Sequence, residues 1–348
     1  MKALTFQGKE LIRYSSINDP SIIHPTDVIV KVNMCAICGS DLHVYHEHEK
    51  GLDHGTAMGH EFVGKIVELG KEVKAFKKGD LVMSPFTTNC GNCFYCNIGL
   101  TCRCVQNQLF GWVQNGNGLQ GGQAEYVRVP LASATLKKIP DGASLEEGLL
   151  MGDIMSTGFY CAKQAEINPK GTYVIIGSGP VGLMTVLGAL EYGAEKLFIV
   201  DTVDERLSMA KKLGATTINP NKQNALAIIQ DATHGRGADA VMEVVGSSTT
   251  LQLGYELLRP GGILSAVGVC NDLNFGFTPN QAYDKNLTYK VGRCPARHMM
   301  DELTPIVQKR KYDFSSIITH HLPLQDGVRA YDIFSKREEG CMKIILNP

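Results

Sequence analysis

Five cysteines crowd into the segment NCGNCFYCNIGLTCRC (89–104), several of them at C-x2-C spacing. Thiolates so spaced can close a tetrahedral metal site. Spacing alone leaves open which four of the five would do so, and whether that metal does chemistry. A second set of donors lies upstream, with Cys38 in CGSDLH and His60 and Glu61 in MGHE. A thiolate, an imidazole and one further ligand would leave a fourth zinc position open for substrate. Taken singly, Cys38 also reads as a small buried residue and His60 as a surface one. The third signal is TYVIIGSGPVGL, which puts Gly177, Gly179 and Gly182 at G-x-G-x-x-G spacing behind an apolar strand, with Pro180 and Val181 opening the next helix. In this pattern the first glycine makes a tight turn, the second lets a pyrophosphate approach the backbone and the third allows close helix–strand packing. The helix N-terminus supplies free N–H groups to the anion. Asp201 ends the next apolar strand, KLFIVD, 19 residues past Gly182. A carboxylate there accepts both adenosine-ribose hydroxyls and repels a 2′-phosphate, so the expected coenzyme is NAD. Arg206 reads three ways: against the adenine, simply solvated, or meeting a 2′-phosphate.

These groups need elements to position them, and the rhythm of the chain changes near residue 150. Before it come short alternating strands (DVIVKVNM, EFVGKIVELG, AEYVRVP) between Gly, Pro and Asn turns, which predicts a compact, mostly β region. The N-terminal MKALTFQGKELIRY alternates like one more strand, and 111–122 (GWVQNGNGLQGG) reads as a long loop. Afterwards strand and helix alternate: TYVIIG, a helix to Tyr192, KLFIVD, ERLSMAKKLGA, DAVMEVVG, a helix over 250–258, and GILSAVGVC. Continuous apolar strands alternating with helices imply a parallel sheet covered on both faces. The tail, with helices over 298–309 and near 327–336 and then MKIILNP, is too short for a domain and is expected to pack back on the N-terminal part. The expected division is therefore 1–153, 154–292 and 293–348.

Composition narrows the partners. The 348 residues are 44% apolar and 20% charged, with a net charge of −1. That balance gives no electrostatic reason for nucleic acid or an anionic membrane surface as partner. No apolar run approaches the ~20 residues of a membrane span, and the N-terminus lacks the apolar core and cleavage site of a signal peptide. Eleven cysteines, an odd count, favour reduced thiolates on metal in a cytoplasm over a disulfide framework.

The ordered set CAICGSDLH, MGHEFVGKIVELG, KKGD, the cysteine lobe, DIMSTGF and GSGPVGL resembles the zinc-dependent medium-chain alcohol dehydrogenases over essentially the whole chain. The resemblance implies an α/β protein, with a GroES-like, mostly β catalytic domain interrupted by a Rossmann coenzyme domain. It also implies two zinc ions per chain, a small alcohol or carbonyl substrate, and a homodimer or homotetramer. It assigns Cys38 and His60 to a catalytic zinc, with Glu61 beside the metal and Asp41 orienting His60 through its other ring nitrogen. Ser40 would hydrogen-bond the alcohol oxygen, His43 would pass the proton on by way of the nicotinamide ribose, and Thr157 would steady the nicotinamide ring. Cys90, Cys93, Cys96 and Cys104 match the family's structural zinc lobe, which does no chemistry, and Cys102 is the spare. For the third catalytic ligand many relatives have a cysteine; the matching stretch GDIMSTGF offers Asp153, as in a secondary-alcohol-dehydrogenase-like branch. Asp153 also reads as a helix N-cap, and the one nearby cysteine, Cys161, lies past the Thr-Gly pair.

Phe86, Trp112 and Cys294 match pocket-lining positions in similar dehydrogenases, although an aromatic is more often ordinary core. His46 and His48 in HVYHEHE are spaced so that a second metal site is conceivable, but they read rather as a solvated charged loop. A zinc-free reductase of the same fold would lack the cysteines and the Cys/His pair. A zinc-ribbon module would bring a basic face and no nucleotide site. A polyol or aldehyde-dismutating dehydrogenase stays open, because pocket shape separates it from an enzyme of small secondary or short-chain alcohols.

Overall fold

The structure, a computed structural model, describes residues 1–348, which divide into two compact units. One is Met1–Ser156 with Pro295–Pro348, and the other is Thr157–Cys294. The first is built on a seven-stranded sheet whose long strand, Val28–Ala36, pairs with Phe62–Leu69, Tyr126–Val129 and Lys343–Asn347, all antiparallel. Its β-branched VIV run is wholly buried, and Val28 and Val30 join a core with Phe62, Ile66, Phe110, Val127 and Ile344. Gly64 sits opposite that strand because a Cβ there would lie 2.1 Å from the Lys31 carbonyl oxygen. The C-terminal strand enters this sheet in the register Leu346 to Cys35.

Two local expectations are corrected. The N-terminal segment is a hairpin, Lys2–Phe6 against Ile12–Ser16, and not one strand. Gly8 (φ +121°) and Glu10 (φ 55°) turn the chain. Within 111–122, Trp112–Gln114 pairs with Asn117–Leu119. The two turn residues, Asn115 and Gly116, both have positive φ, the backbone that a two-residue Asn-Gly hairpin turn requires.

The second unit is a six-stranded parallel sheet in the order Thr216–Ile218, Lys196–Val200, Thr172–Ile176, Ala238–Glu243, Leu258–Ala266, Thr288–Val291. All five residues of Thr172–Ile176 are buried, as a strand covered on both faces requires. The helix expected over 250–258 runs Ser248–Leu257, because Ser247 caps it by accepting from the Thr250 amide and Leu258 already starts a strand. The strand order reverses between Thr172–Ile176 and Ala238–Glu243, the point at which such sheets bind dinucleotides. No helix is long and apolar enough to cross a membrane.

Candidate metal centres and coenzyme site

In the first unit, Cys38, His60, Glu61 and Asp153 bring one donor atom each within 4.8 Å of one another, and all four side chains are buried. Cys38 lies at the N-terminus of the helix Gly39–Tyr45, where the Asp41 carboxylate accepts its amide at 3.0 Å. His60 and Glu61 precede the strand Phe62–Leu69, on a chain turned by Gly59 (φ +89°). Asp153 follows Gly152, where a Cβ would meet the Ser84 carbonyl oxygen at 2.3 Å, so the chain passes close enough to aim the carboxylate inward. Its Oδ2 is 3.1 Å from His60 Nε2 and 3.5 Å from Cys38 Sγ. A tetrahedron with bonds of about 2.0–2.3 Å has edges of roughly 3.3–3.8 Å, so these donors already stand close to the spacing of a zinc site.

The electrostatics agree. Burial pushes the Cys38 thiol up, with Asp153 and Glu61 adding to the rise. Burial pushes Glu61 up to about 7 even though Lys343 opposes it. The Asp153 carboxyl, despite burial, is held down at about 2 by its hydrogen bond to His60. Burial would lower His60, but Asp41 and the hydrogen bonds from Asp153, Asp41 and Cys38 hold it well above its ordinary value. Three acidic groups and an imidazole gathered in a buried space, with one buried lysine to offset them, suit a divalent cation.

The surroundings place the other residues singled out from sequence. Asp41 Oδ1 is 3.3 Å from His60 Nδ1, the ring nitrogen opposite the one that faces Asp153. Ser40 Oγ is 3.3 Å from His60 Nε2. His43, one turn further along that helix, is half-buried, and burial lowers its pKa. The Phe86 ring stands edge-on to His60 with centroids 6.4 Å apart, while Trp112 packs half-buried on the β core. Cys294 is buried at the end of the second unit. His46 is not simply solvated: its nitrogens meet Glu10 and Ser335, both at 3.0 Å.

Sequence reasoning missed three residues here. Lys343, fully buried, pairs with Glu61 Oε2 and donates to the Ile37 carbonyl at 3.0 Å, while Glu61 Oε1 is buried without a hydrogen bond. Gln123 donates to Asp41 Oδ2 at 3.1 Å and accepts from the Tyr331 hydroxyl at 2.9 Å. A lysine inside MKIILNP was the available signal for the first, since a lysine in a buried strand needs a partner. Gln123 and Tyr331 carried none.

The sulfurs of Cys90, Cys93, Cys96 and Cys104 form the second cluster, within the same 4.8 Å limit. Cys102 is buried outside it, and no cysteine is in a disulfide. Cys104 Sγ accepts the Cys90 and Gln106 amides at 3.2 and 3.3 Å. The amides of Cys96 and Val105 hold the Cys93 thiol down at about 6. Phe94, Ile98 and Val105 are 70%, 59% and 70% exposed, so the lobe has little apolar core of its own and depends on its thiolates for cohesion.

In the second unit Gly177 turns at φ +101°, and Gly179 caps the helix Pro180–Glu191, with Pro180 in its first turn. A Cβ on Gly182 would lie 2.0 Å from the Gly177 carbonyl oxygen, which explains the third glycine. Val181 accepts from the Thr185 hydroxyl inside that helix. Asp201 accepts the Ser178 amide at 2.7 Å and the Val203 amide at 2.9 Å. A carboxylate offers about four lone-pair sites, so acceptors remain for ribose hydroxyls. Arg206 Nη1 comes within 3.8 Å of a Cβ built on Gly179, at the glycine-rich turn. Thr157 is half-buried at the start of this unit.

Residues 24–141 match the family described as alcohol dehydrogenase GroES-like domain, and residues 180–309 match zinc-binding dehydrogenase. The chain is 40% identical over 343 residues to zinc-type alcohol dehydrogenase B of Aspergillus flavus, covering 96% of this chain and 79% of that protein. It is 32% identical over 379 residues to the uncharacterized zinc-type alcohol dehydrogenase-like protein AdhB of Bacillus subtilis, with 100% of both covered. Among solved structures it superposes on alcohol dehydrogenase TADH from Thermus sp. ATN1 with a TM-score of 0.94 and 36% identity, covering 100% of this chain and 99% of that one. One buried and one partly exposed cluster of zinc-type donors, a dinucleotide turn at a strand-order reversal and these matches lead to one assignment: the chain belongs to the medium-chain, zinc-binding alcohol dehydrogenase family of oxidoreductases, which act on small molecules with zinc and a nicotinamide coenzyme.

Proposed function

We propose that this chain is an NAD-dependent zinc alcohol dehydrogenase that interconverts a small secondary or short-chain alcohol with its ketone or aldehyde. The observation that carries the reading is the convergence of Cys38, His60 and Asp153 donors at metal-ligand spacing in one buried space. These three hold the catalytic zinc, in the aspartate-ligand arrangement, and Cys90, Cys93, Cys96 and Cys104 hold a second, structural ion. The bound zinc supplies a Lewis acid that lowers the pKa of the alcohol hydroxyl, and the nicotinamide accepts the hydride. Asp41 orients His60 from Nδ1, leaving Nε2 for the metal. Ser40 would hydrogen-bond the alcohol oxygen, accepting its proton as it passes its own hydroxyl proton on, and His43, whose pKa burial lowers, would receive that proton and release it to solvent, with the nicotinamide ribose of a bound coenzyme available between them. Glu61, backed by Lys343, stands beside the metal set without being required as a ligand. Phe86, against His60, bounds the substrate space, and Trp112 and Cys294 keep the lining roles that the resemblance implies.

Asp201 directs the choice toward NAD, because a 2′-phosphate beside a part-buried carboxylate is unfavourable. Thr157 steadies the nicotinamide ring, and Arg206, near the glycine-rich turn, lies against the adenine. We place the catalytic role in the first unit and the coenzyme role in the second. The exposed apolar residues Val269, Leu273, Phe275, Tyr283 and Val291 support a homo-oligomer, and eleven thiols without a disulfide support a cytoplasmic setting. The test is metal analysis of the purified protein together with a panel of secondary alcohols, primary alcohols and polyols, each with NAD and NADP. Two zinc ions per chain and preferred turnover of a small secondary or primary alcohol with NAD are expected. One tightly bound metal, equal kcat/KM for both coenzymes, or a clear preference for polyols would refute the corresponding part.

A further inference from the structure

Glu243 is the last residue of the strand Ala238–Glu243, beside the strand-order reversal, and it is fully buried. Its Oε1 accepts two amides, from Val245 and Gly246, both at 2.8 Å, and its Oε2 is buried without a hydrogen bond. Burial pushes the carboxyl above its ordinary value against the pull of those amides. An acid is an unfavourable choice for a sheet interior, so its presence there calls for a reason beyond packing.

The reason lies in what the two amides belong to. They form a turn wedged between its neighbours at the C-terminal ends of three adjacent strands. On one side, a Cβ on Gly177 would lie 2.5 Å from Val245 Cγ2, so this turn abuts the glycine-rich turn. On the other, Gly246 (φ +88°) is packed so closely on Val269 that a Cβ would lie 2.4 Å from its carbonyl oxygen. Val245 itself is 47% exposed. The carboxylate therefore fixes the main chain of an apolar shelf next to the turn that receives a pyrophosphate.

We propose that Glu243 is a positioning residue for the coenzyme, its carboxylate clamping the Val245–Gly246 turn beside the glycine-rich turn. This rests on the coenzyme reading above. The role needs an acceptor at Oε1, and a glutamine can supply one. The experiment uses the zinc-loaded full-length protein with Glu243→Ala and Glu243→Gln, titrated with NADH by fluorescence and assayed for kcat and for KM toward NAD and alcohol. Glu243→Ala should weaken NADH binding about tenfold or more and raise KM for NAD, because two hydrogen bonds are lost. Alcohol KM and zinc content should hold. Glu243→Gln should stay within about threefold of the unmodified protein, since one acceptor replaces another. If Glu243→Ala does not fold, Glu243→Asp takes its place with the same expectation, its acceptor drawn back by about one bond, ~1.5 Å. NADH affinity unchanged in a folded Ala or Asp variant would overturn the proposal. So would a loss of melting temperature in both Ala and Gln variants with NADH affinity intact. No NADH binding by the unmodified protein would instead remove the coenzyme reading itself.

Discussion

Replacing Lys343 by methionine strips the buried Glu61 carboxylate of its counter-charge. Lys343 is fully buried and Glu61 is 1% exposed, so water cannot take over the pairing. Glu61 Oε1 is already without a hydrogen bond, and Lys343→Met would orphan Oε2 and the Ile37 carbonyl as well. Removing one partner of a buried pair costs about 3–5 kcal/mol, whereas replacing both by apolar side chains of similar volume is often neutral or stabilising. At about 2–4 °C per kcal/mol for a body of 150–250 residues, the single variant should melt roughly 6–20 °C lower. The loss should be largest in metal-depleted protein, because a cation beside Glu61 supplies part of the missing charge. Trp112, the only tryptophan, belongs to the same unit as the pair, so its fluorescence in urea reports on that unit. The pH dependence has a definite sign. Glu61 stands at about 7 in the folded chain against an ordinary 4.5, so between those values the folded state binds a proton that the unfolded state does not. Metal-free protein should therefore gain stability from this group as pH falls through that window. Lys343→Met should steepen the gain, since protonation then removes an unpaired charge. The reasoning is refuted if metal-free Lys343→Met unfolds within about 1 kcal/mol of the unmodified protein, or if adding Glu61→Met gives no recovery.

Three further outcomes are expected. In metal-free protein Cys93 should alkylate with a midpoint near pH 6, its thiolate fraction rising with pH, while Cys96, pushed up to about 12 by burial, stays unreactive through neutral pH; mass mapping of labelled peptides reads both. Asp201→Gly should move the NADP-to-NAD ratio of kcat/KM toward NADP by about tenfold or more, from removal of a charge that repels the phosphate; an unchanged ratio would show that Asp201 does not discriminate. Asp153→Asn should lose the catalytic metal and activity while the cysteine lobe keeps its ion. A variant that holds both metals and loses only about 1 kcal/mol of stability would mark Asp153 as a cap.

What was legible in the sequence was local. The strand Thr172–Ile176, the glycine-rich turn and the helix Pro180–Glu191 occupy one continuous stretch whose φ angles and close approaches follow from residue type. The four lobe thiols lie within fifteen residues of one another, and Cys38, His60 and Asp153 stand in ordered motifs; the structure gathers both sets. The Asn-Gly hairpin was legible too, from its turn residues, and reading 111–122 as a loop passed over it. Tertiary structure alone revealed the groups that surround those donors. Lys343 reaches Glu61 across 282 positions of chain, and Tyr331 reaches Gln123 across 208. Nothing local distinguishes Gln123 and Tyr331 from surface polar residues, and the apolar run around Lys343 signals that it needs a partner without saying which. Their roles follow from being buried together, where each unpaired polar atom is costly and partners are found through sheet register. Glu243 is of the same kind: its type and position are plain in DAVMEVVG, but its function as a clamp exists only once three strand ends meet.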